Sequence, residues 1–104
     1  MLQKVNDFAK NAKKILVCLD SNHTHEHVLK ELQIYSKFIK KGSYIICMDT
    51  IIDEQPPAKY RPRDWDKGGN PATALREFIK NNKNFKSDHE IEDKMLLSNS
   101  PKGY

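Results

Sequence analysis

The run Lys14-Ile-Leu-Val-Cys-Leu-Asp20 decides the fold. Its unbroken apolar stretch is too short for an ordinary helix and carries the β-branched Ile15 and Val17, so it predicts a strand. The absence of alternation predicts a strand buried on both faces, as in parallel sheets. A second run, Tyr44-Ile-Ile-Cys-Met48, has the same character and is again followed by an aspartate, Asp49. Between them Val28, Leu32, Tyr35 and Ile39, flanked by Leu29 and Phe38, recur at helical spacing. Thr24 is placed to cap that helix and Glu26 to sit in its first turn. Gly42 is placed to close it, with Lys40 and Lys41 complementing its dipole. Strand, helix and strand in this order predict a right-handed crossover with parallel strands. The cysteines, each two residues before its aspartate, predict strands in matching registers. Asp20 and Asp49 then face one crevice at the strand ends, where open α/β sheets bind ligands.

Outward from this βαβ unit the elements are less regular. Leu2, Val5, Phe8, Ala9 and Ala12 fit a short amphipathic helix over 2–12. Residues 53–70 form a long loop rich in Pro, Gly, Arg and Asp, and loops of that length are usually functional or disordered. Asn70-Pro71 is a strong helix start, with Ala72, Leu75, Phe78, Ile79 and Asn82 following at helical spacing. The tail from Phe85 to Leu97 is expected to form two short strands joined near Glu92-Asp93.

With 104 residues the chain is at most one domain. Its +4 net charge is spread along the chain, so a solvated basic surface is expected rather than a nucleic-acid patch. The two cysteines read as buried, reduced residues of a cytoplasmic protein, because neither a CxxC nor a Cys/His zinc spacing is present. No run approaches the roughly 20 apolar residues of a membrane span, and no signal-peptide pattern opens the chain.

At the crevice, Asp20 and Asp49 could share a hard cation such as Mg²⁺. Equally, each could simply cap the segment that follows it, and spacing leaves the two readings level. The cluster His23-Thr-His-Glu-His27 lacks the HExxH pattern of a zincin and the facial-triad spacing of an iron oxygenase. With Thr24 as cap, His25 and His27 project about 200° apart, so both are expected on the surface. His23 is placed at the crevice as a general base or a hydrogen-bond partner of a substrate, with Asn22 beside it on the substrate side. Arg61, Arg63 and Trp65 could clamp an anionic or sugar-like substrate, although composition alone favours a plain surface loop.

These residues also carry a resemblance. Leu19-Asp-Ser-Asn-His-Thr-His-Glu-His-Val28 resembles the corresponding strand end in the cephalosporin hydroxylase and rhamnosyl O-methyltransferase family. The likeness continues through Gly42-Ser-Tyr, Asp49-Thr-Ile, Asn70-Pro, Ala74-Leu-Arg-Glu-Phe78, Ile91-Glu-Asp-Lys-Met-Leu-Leu97 and Pro101-Lys-Gly-Tyr104. It implies an α/β chain forming the C-terminal half of a Rossmann-like, S-adenosylmethionine-dependent methyltransferase, so that residues 1–104 make a single partial domain. It further implies that Asp20 and Asp49 ligate a divalent metal that orients an acceptor hydroxyl toward the donor methyl. The acceptor in such a family is a small molecule or a saccharide.

Two departures accompany the resemblance. Met48 stands where the family often has an acid. None of the four glycines, at 42, 68, 69 and 103, follows a strand to open a helix, so the donor-binding loop is expected in a preceding half. The chain alone is then expected to be inactive. The alternatives are a truncated product and a non-catalytic module whose sheet edge pairs with a missing half or with a second copy. A metal-dependent hydroxylase is suggested only by the family's name.

Overall fold

The computed structural model describes all 104 residues, Met1–Tyr104. Along the chain run α1 (Leu2–Asn11), β1 (Leu16–Leu19), α2 (His25–Tyr35), β2 (Tyr44–Cys47), α3 (Pro71–Asn81) and α4 (His89–Asp93). Single 3₁₀ turns follow α2, over Ser36–Phe38, and β2, over Thr50–Glu54. β1 and β2 pair in parallel, with α2 as the crossover between them. α2 and α3 pack against each other and cover one face of the pair. The core beneath them is Leu19, Val28, Leu32, Cys47, Ala74 and Phe78, all buried. The mixed α/β character expected from the sequence is therefore present, as a two-layer arrangement.

The second face of the sheet is open, which corrects the expectation of strands buried on both sides. Leu16 is 63 % exposed and Cys18 is exposed, while Leu19 is buried. The register shows which side chains each face carries. Leu19 lies opposite Cys47, and Cys18 opposite Ile46. The two cysteines thus differ in phase by one residue, which in a strand puts them on opposite faces. Cys47 points into the core, where burial pushes its thiol up to about 12; Cys18 faces outward. The matching registers inferred from the aspartates fail because Asp20 follows β1 directly, whereas Met48 separates Asp49 from β2.

The helix starts fall at the expected N-caps, Thr24 and Asn70, while the close of α2 differs from expectation. Thr24 is the N-cap of α2, yet its side chain makes no capping bond; Asn22 Oδ1 instead accepts from Thr24 N at 2.9 Å. Gly42, with φ +77°, belongs to the turn into β2 and not to the end of α2. Lys40 serves α1, donating to the carbonyls of Ala9 at 2.9 Å and Ala12 at 2.6 Å. Those are the orphan acceptors that a helix C-terminus leaves.

The tail also departs from expectation. In place of an antiparallel strand pair, residues 85–97 contain the short helix α4. Its start is local chemistry: Asp88 Oδ1 accepts from Glu90 N at 3.1 Å, and Glu90 and Glu92 sit in the first turn. Tyr44 donates its hydroxyl to the same aspartate, which pins the helix start to β2, lowers the Asp88 carboxyl and raises the phenol. The last residues close against β2, where Cys47 N donates to Gly103 O at 2.8 Å. The approach requires glycine, because a Cβ at 103 would run into the Cys47 carbonyl oxygen. No helix is long and apolar enough to cross a membrane.

Candidate functional site

The loops leaving β1 and β2 bring three side chains together. Asp20 is the first residue after β1. His23 follows three residues later, in a loop shaped by the Asn22–Thr24 bond. Asp49 sits where β2 turns into its 3₁₀ segment, in the left-handed region at φ 57°. Few non-glycine residues adopt that conformation, aspartate among the more tolerant, and such strain gathers at functional positions.

His23 Nε2 lies 2.9 Å from Asp49 Oδ2 and 3.6 Å from Asp20 Oδ1. One ligand atom from each of the three residues falls within 4.8 Å of the others. Despite the short approach to Asp49, His23 Nε2 is buried with no partner in hydrogen-bonding geometry. A buried ring nitrogen aimed at two carboxylates without bonding to either is the donor arrangement a cation would satisfy. The set of two carboxylates and one imidazole suits a divalent ion. Met48, by contrast, serves the sheet, its N–H donating to Leu19 O at 3.1 Å.

Trp65 reaches this cluster from the long loop, its ring centroid 5.4 Å from that of His23. Arg63 lies over the Trp65 ring, with its guanidinium carbon 5.9 Å from the centroid. The His23 and Trp65 rings meet at a tilt of 56°, so Trp65, with Arg63 against it, flanks the crevice on the His23 side. Arg61 is exposed, and Asn22 commits its amide oxygen to the loop backbone.

The loop itself is fastened, and the fastening residue escaped the sequence reading. Asp53 Oδ1 accepts from Gly68 N at 3.0 Å and Asn70 Nδ2 at 2.7 Å, and its Oδ2 accepts from Arg76 Nη2 at 2.8 Å. These bonds, led by the Gly68 amide, lower its carboxyl to about 2. Asp66 adds a second tie, accepting from Ala58 N at 3.0 Å. Because the Asp53 pKa is depressed, its stabilisation is present above the ordinary value of 3.8 and is lost as pH falls toward 2. Its effect is expected to be about 1–2 kcal/mol, given partial exposure. Urea unfolding at pH 5 and pH 2.5 should show that loss in the native chain and a smaller one in Asp53→Asn. An equal loss in both would remove Asp53 from the account.

His25 and His27 are both tied down. His27 Nε2 lies 3.0 Å from Ser21 Oγ and 3.3 Å from Glu31 Oε1. His25 bridges α2 to α3, with Nδ1 2.7 Å from Thr73 Oγ1 and Nε2 2.9 Å from Glu77 Oε2. The i, i+4 spacing of Thr73 and Glu77 on one helix face was the available signal.

The fold and this crevice define an α/β chain with a cation-type donor set at its strand ends. The chain belongs to the rhamnosyl O-methyltransferase/CmcI family, whose pattern matches residues 1–104. It is similar to the rhamnosyl O-methyltransferases of Mycobacterium tuberculosis H37Rv and Mycobacterium bovis BCG, at 28 % identity over 92 residues. That alignment takes in 88 % of this chain and 35 % of each relative, so the chain spans about a third of the length of the curated relatives it matches. No solved structure matches it.

Proposed function

We propose that this chain carries the metal and acceptor side of an S-adenosylmethionine-dependent O-methyltransferase acting on a saccharide hydroxyl. The observation that carries the reading is the convergence of Asp20, His23 and Asp49 around an unpartnered His23 Nε2. Family membership supports methyl transfer, and the relatives' name, rhamnosyl O-methyltransferase, supports a sugar acceptor.

Asp20 and Asp49 would hold the ion, with His23 as the third donor in place of an acid at position 48. A divalent cation such as Mg²⁺, once bound, lowers the pKa of an acceptor hydroxyl and orients it. His23 is thereby assigned as a ligand, because its Nε2 is turned toward the carboxylates and not toward open crevice. Trp65 offers a flat apolar surface on which a sugar ring can lie, and Arg63 holds it through a cation–π contact. Asn22 acts by setting the His23 loop, and Arg61 extends the basic rim. The donor-binding residues are assigned to a part of the protein outside these 104 residues, since no glycine-rich strand–loop–helix occurs among them.

Trp65 is the only tryptophan, so its emission reads the crevice directly. Titration of the chain with Mn²⁺ should give saturable quenching that Mg²⁺ reverses. Absence of any change up to millimolar Mn²⁺ would overturn the metal assignment. Calorimetry with S-adenosylmethionine should give no heat of binding, and clear micromolar affinity would place the donor site within this chain instead.

A further inference from the structure

The stretch Ser98-Asn-Ser-Pro-Lys-Gly103 has no apolar pattern, yet its Ser100 is fully buried. A set of bonds to the segment bearing Asp49 holds it there. Ile51 N donates to Asn99 O at 3.2 Å, Thr50 Oγ1 to Pro101 O at 2.7 Å, and Cys47 N to Gly103 O at 2.8 Å. Residues 98–103 thus form a strap that grips the chain on both sides of Asp49. The strap is anchored in turn near α4, where Lys102 N donates to Glu92 Oε2 at 3.0 Å and Ser87 Oγ to Lys102 O at 2.6 Å. Asp49 and Lys102, at φ 57° and 62°, are the two non-glycine residues with positive φ, and they lie on these facing segments. Such a backbone persists where its surroundings over-determine it.

Asn99 is the strap residue that reaches the Asp49 side chain. Its backbone oxygen takes the Ile51 bond, its Oδ1 accepts from Ser100 Oγ at 3.0 Å, and its Nδ2 donates to Asp49 Oδ1 at 3.3 Å. An ionised carboxylate only accepts, so the nitrogen end of the amide faces Asp49. Asp49 Oδ2 is then left on the crevice side, 2.9 Å from His23 Nε2. We propose that Asn99 is a positioning residue of the cation site, fixing the Asp49 carboxylate so that Oδ2 faces the ion. The proposal rests on the metal reading and extends that site to the tail, 50 residues further along the chain. Residues that hydrogen-bond a ligating carboxylate raise metal affinity 10- to 100-fold, and a long bond from a neutral amide falls at the low end, about 10-fold. The same bond, long and exposed, contributes little to stability. Affinity and stability should therefore part company.

The test is Mn²⁺ titration of Trp65 emission in the full 104-residue chain, beside urea unfolding. Asn99→Ala alone strands the hydroxyl of buried Ser100 and costs stability for that reason. Asn99→Ala with Ser100→Ala removes both ends of that bond and strands neither. This double variant should keep the native urea midpoint while its Mn²⁺ dissociation constant rises about 10-fold. Ser100→Ala alone leaves the amide in place and should bind more tightly than the double variant. Asn99→Gln keeps an amide donor and should recover part of the loss. A purely structural Asn99 would lower the midpoint and leave the dissociation constant unchanged, which overturns the proposal. A native chain whose emission Mn²⁺ does not quench overturns the metal reading and this inference with it. Native quenching with an unchanged constant in the double variant overturns this inference alone.

Discussion

Asp49→Asn is expected to abolish Mn²⁺ quenching of Trp65, weakening binding by more than about 100-fold, while leaving the fold intact. The loss exceeds the 10- to 100-fold usual for residues that merely orient ligands, because the substitution removes one of two anionic donors. Stability should not fall with it. In the unliganded chain the Asp49 side chain accepts one long hydrogen bond, from Asn99 Nδ2 at 3.3 Å; its Oδ2 stands 2.9 Å from His23 Nε2 but outside hydrogen-bonding geometry, and it lies near the like charge of Asp20. Asparagine tolerates the left-handed backbone at φ 57° as aspartate does. Asp49→Gly sharpens the test. Glycine relieves the strain of that conformation, so urea unfolding should show a chain as stable as the native one, or stabilised by about 0.5–1 kcal/mol. A site that loses its ligand while the fold gains stability marks a residue kept for binding. Quenching that survives in either variant would sink the assignment of Asp49.

What the sequence disclosed follows from how local each signal is. The strands Leu16–Leu19 and Tyr44–Cys47, inside their apolar runs, and the helix start at Asn70-Pro71 rest on neighbours within a turn or two. Asp20, His23 and Asp49 were accessible because strand ends in a parallel pair converge whatever the details. The register was not accessible, since it depends on whether Met48 extends β2 or turns away from it. The tail misled for a related reason. Ile91, Met95 and Leu97 suit alternation as well as a helical turn, and the Asp88 cap with its Tyr44 contact decided between them. Asp53 was invisible because its partners Gly68, Asn70 and Arg76 lie 15 to 23 residues away. The open face of β1 could not be read at all, because an apolar run does not say whether anything covers it.

The largest loss of stability is expected from Asn70→Ala. Asn70 is fully buried, and every polar atom of its side chain is used. Its Oδ1 accepts from Ala72 N at 2.9 Å and Thr73 N at 3.3 Å, capping α3, while Thr73 Oγ1 accepts in return from Asn70 N at 2.9 Å. Its Nδ2 donates to Asp53 Oδ1 at 2.7 Å and to Asp66 O at 2.8 Å, joining the helix start to both ties of the long loop. Loss of the cap costs about 1 kcal/mol. Stranding buried partners of the amide costs about 1–3 kcal/mol more, so a total near 3 kcal/mol is expected from urea unfolding. That is a large fraction of what a chain with so small a core holds in reserve. The loop should loosen first, so Trp65 emission should shift to the red below the main transition. Asn70→Asp separates the two contributions. It keeps the cap but replaces the donor to Asp53 with a second carboxylate, so its deficit should shrink as pH falls and the pair takes up a proton. If Asn70→Ala costs less than about 1 kcal/mol, the loop is held some other way, and the route from the α3 cap to Trp65 is broken.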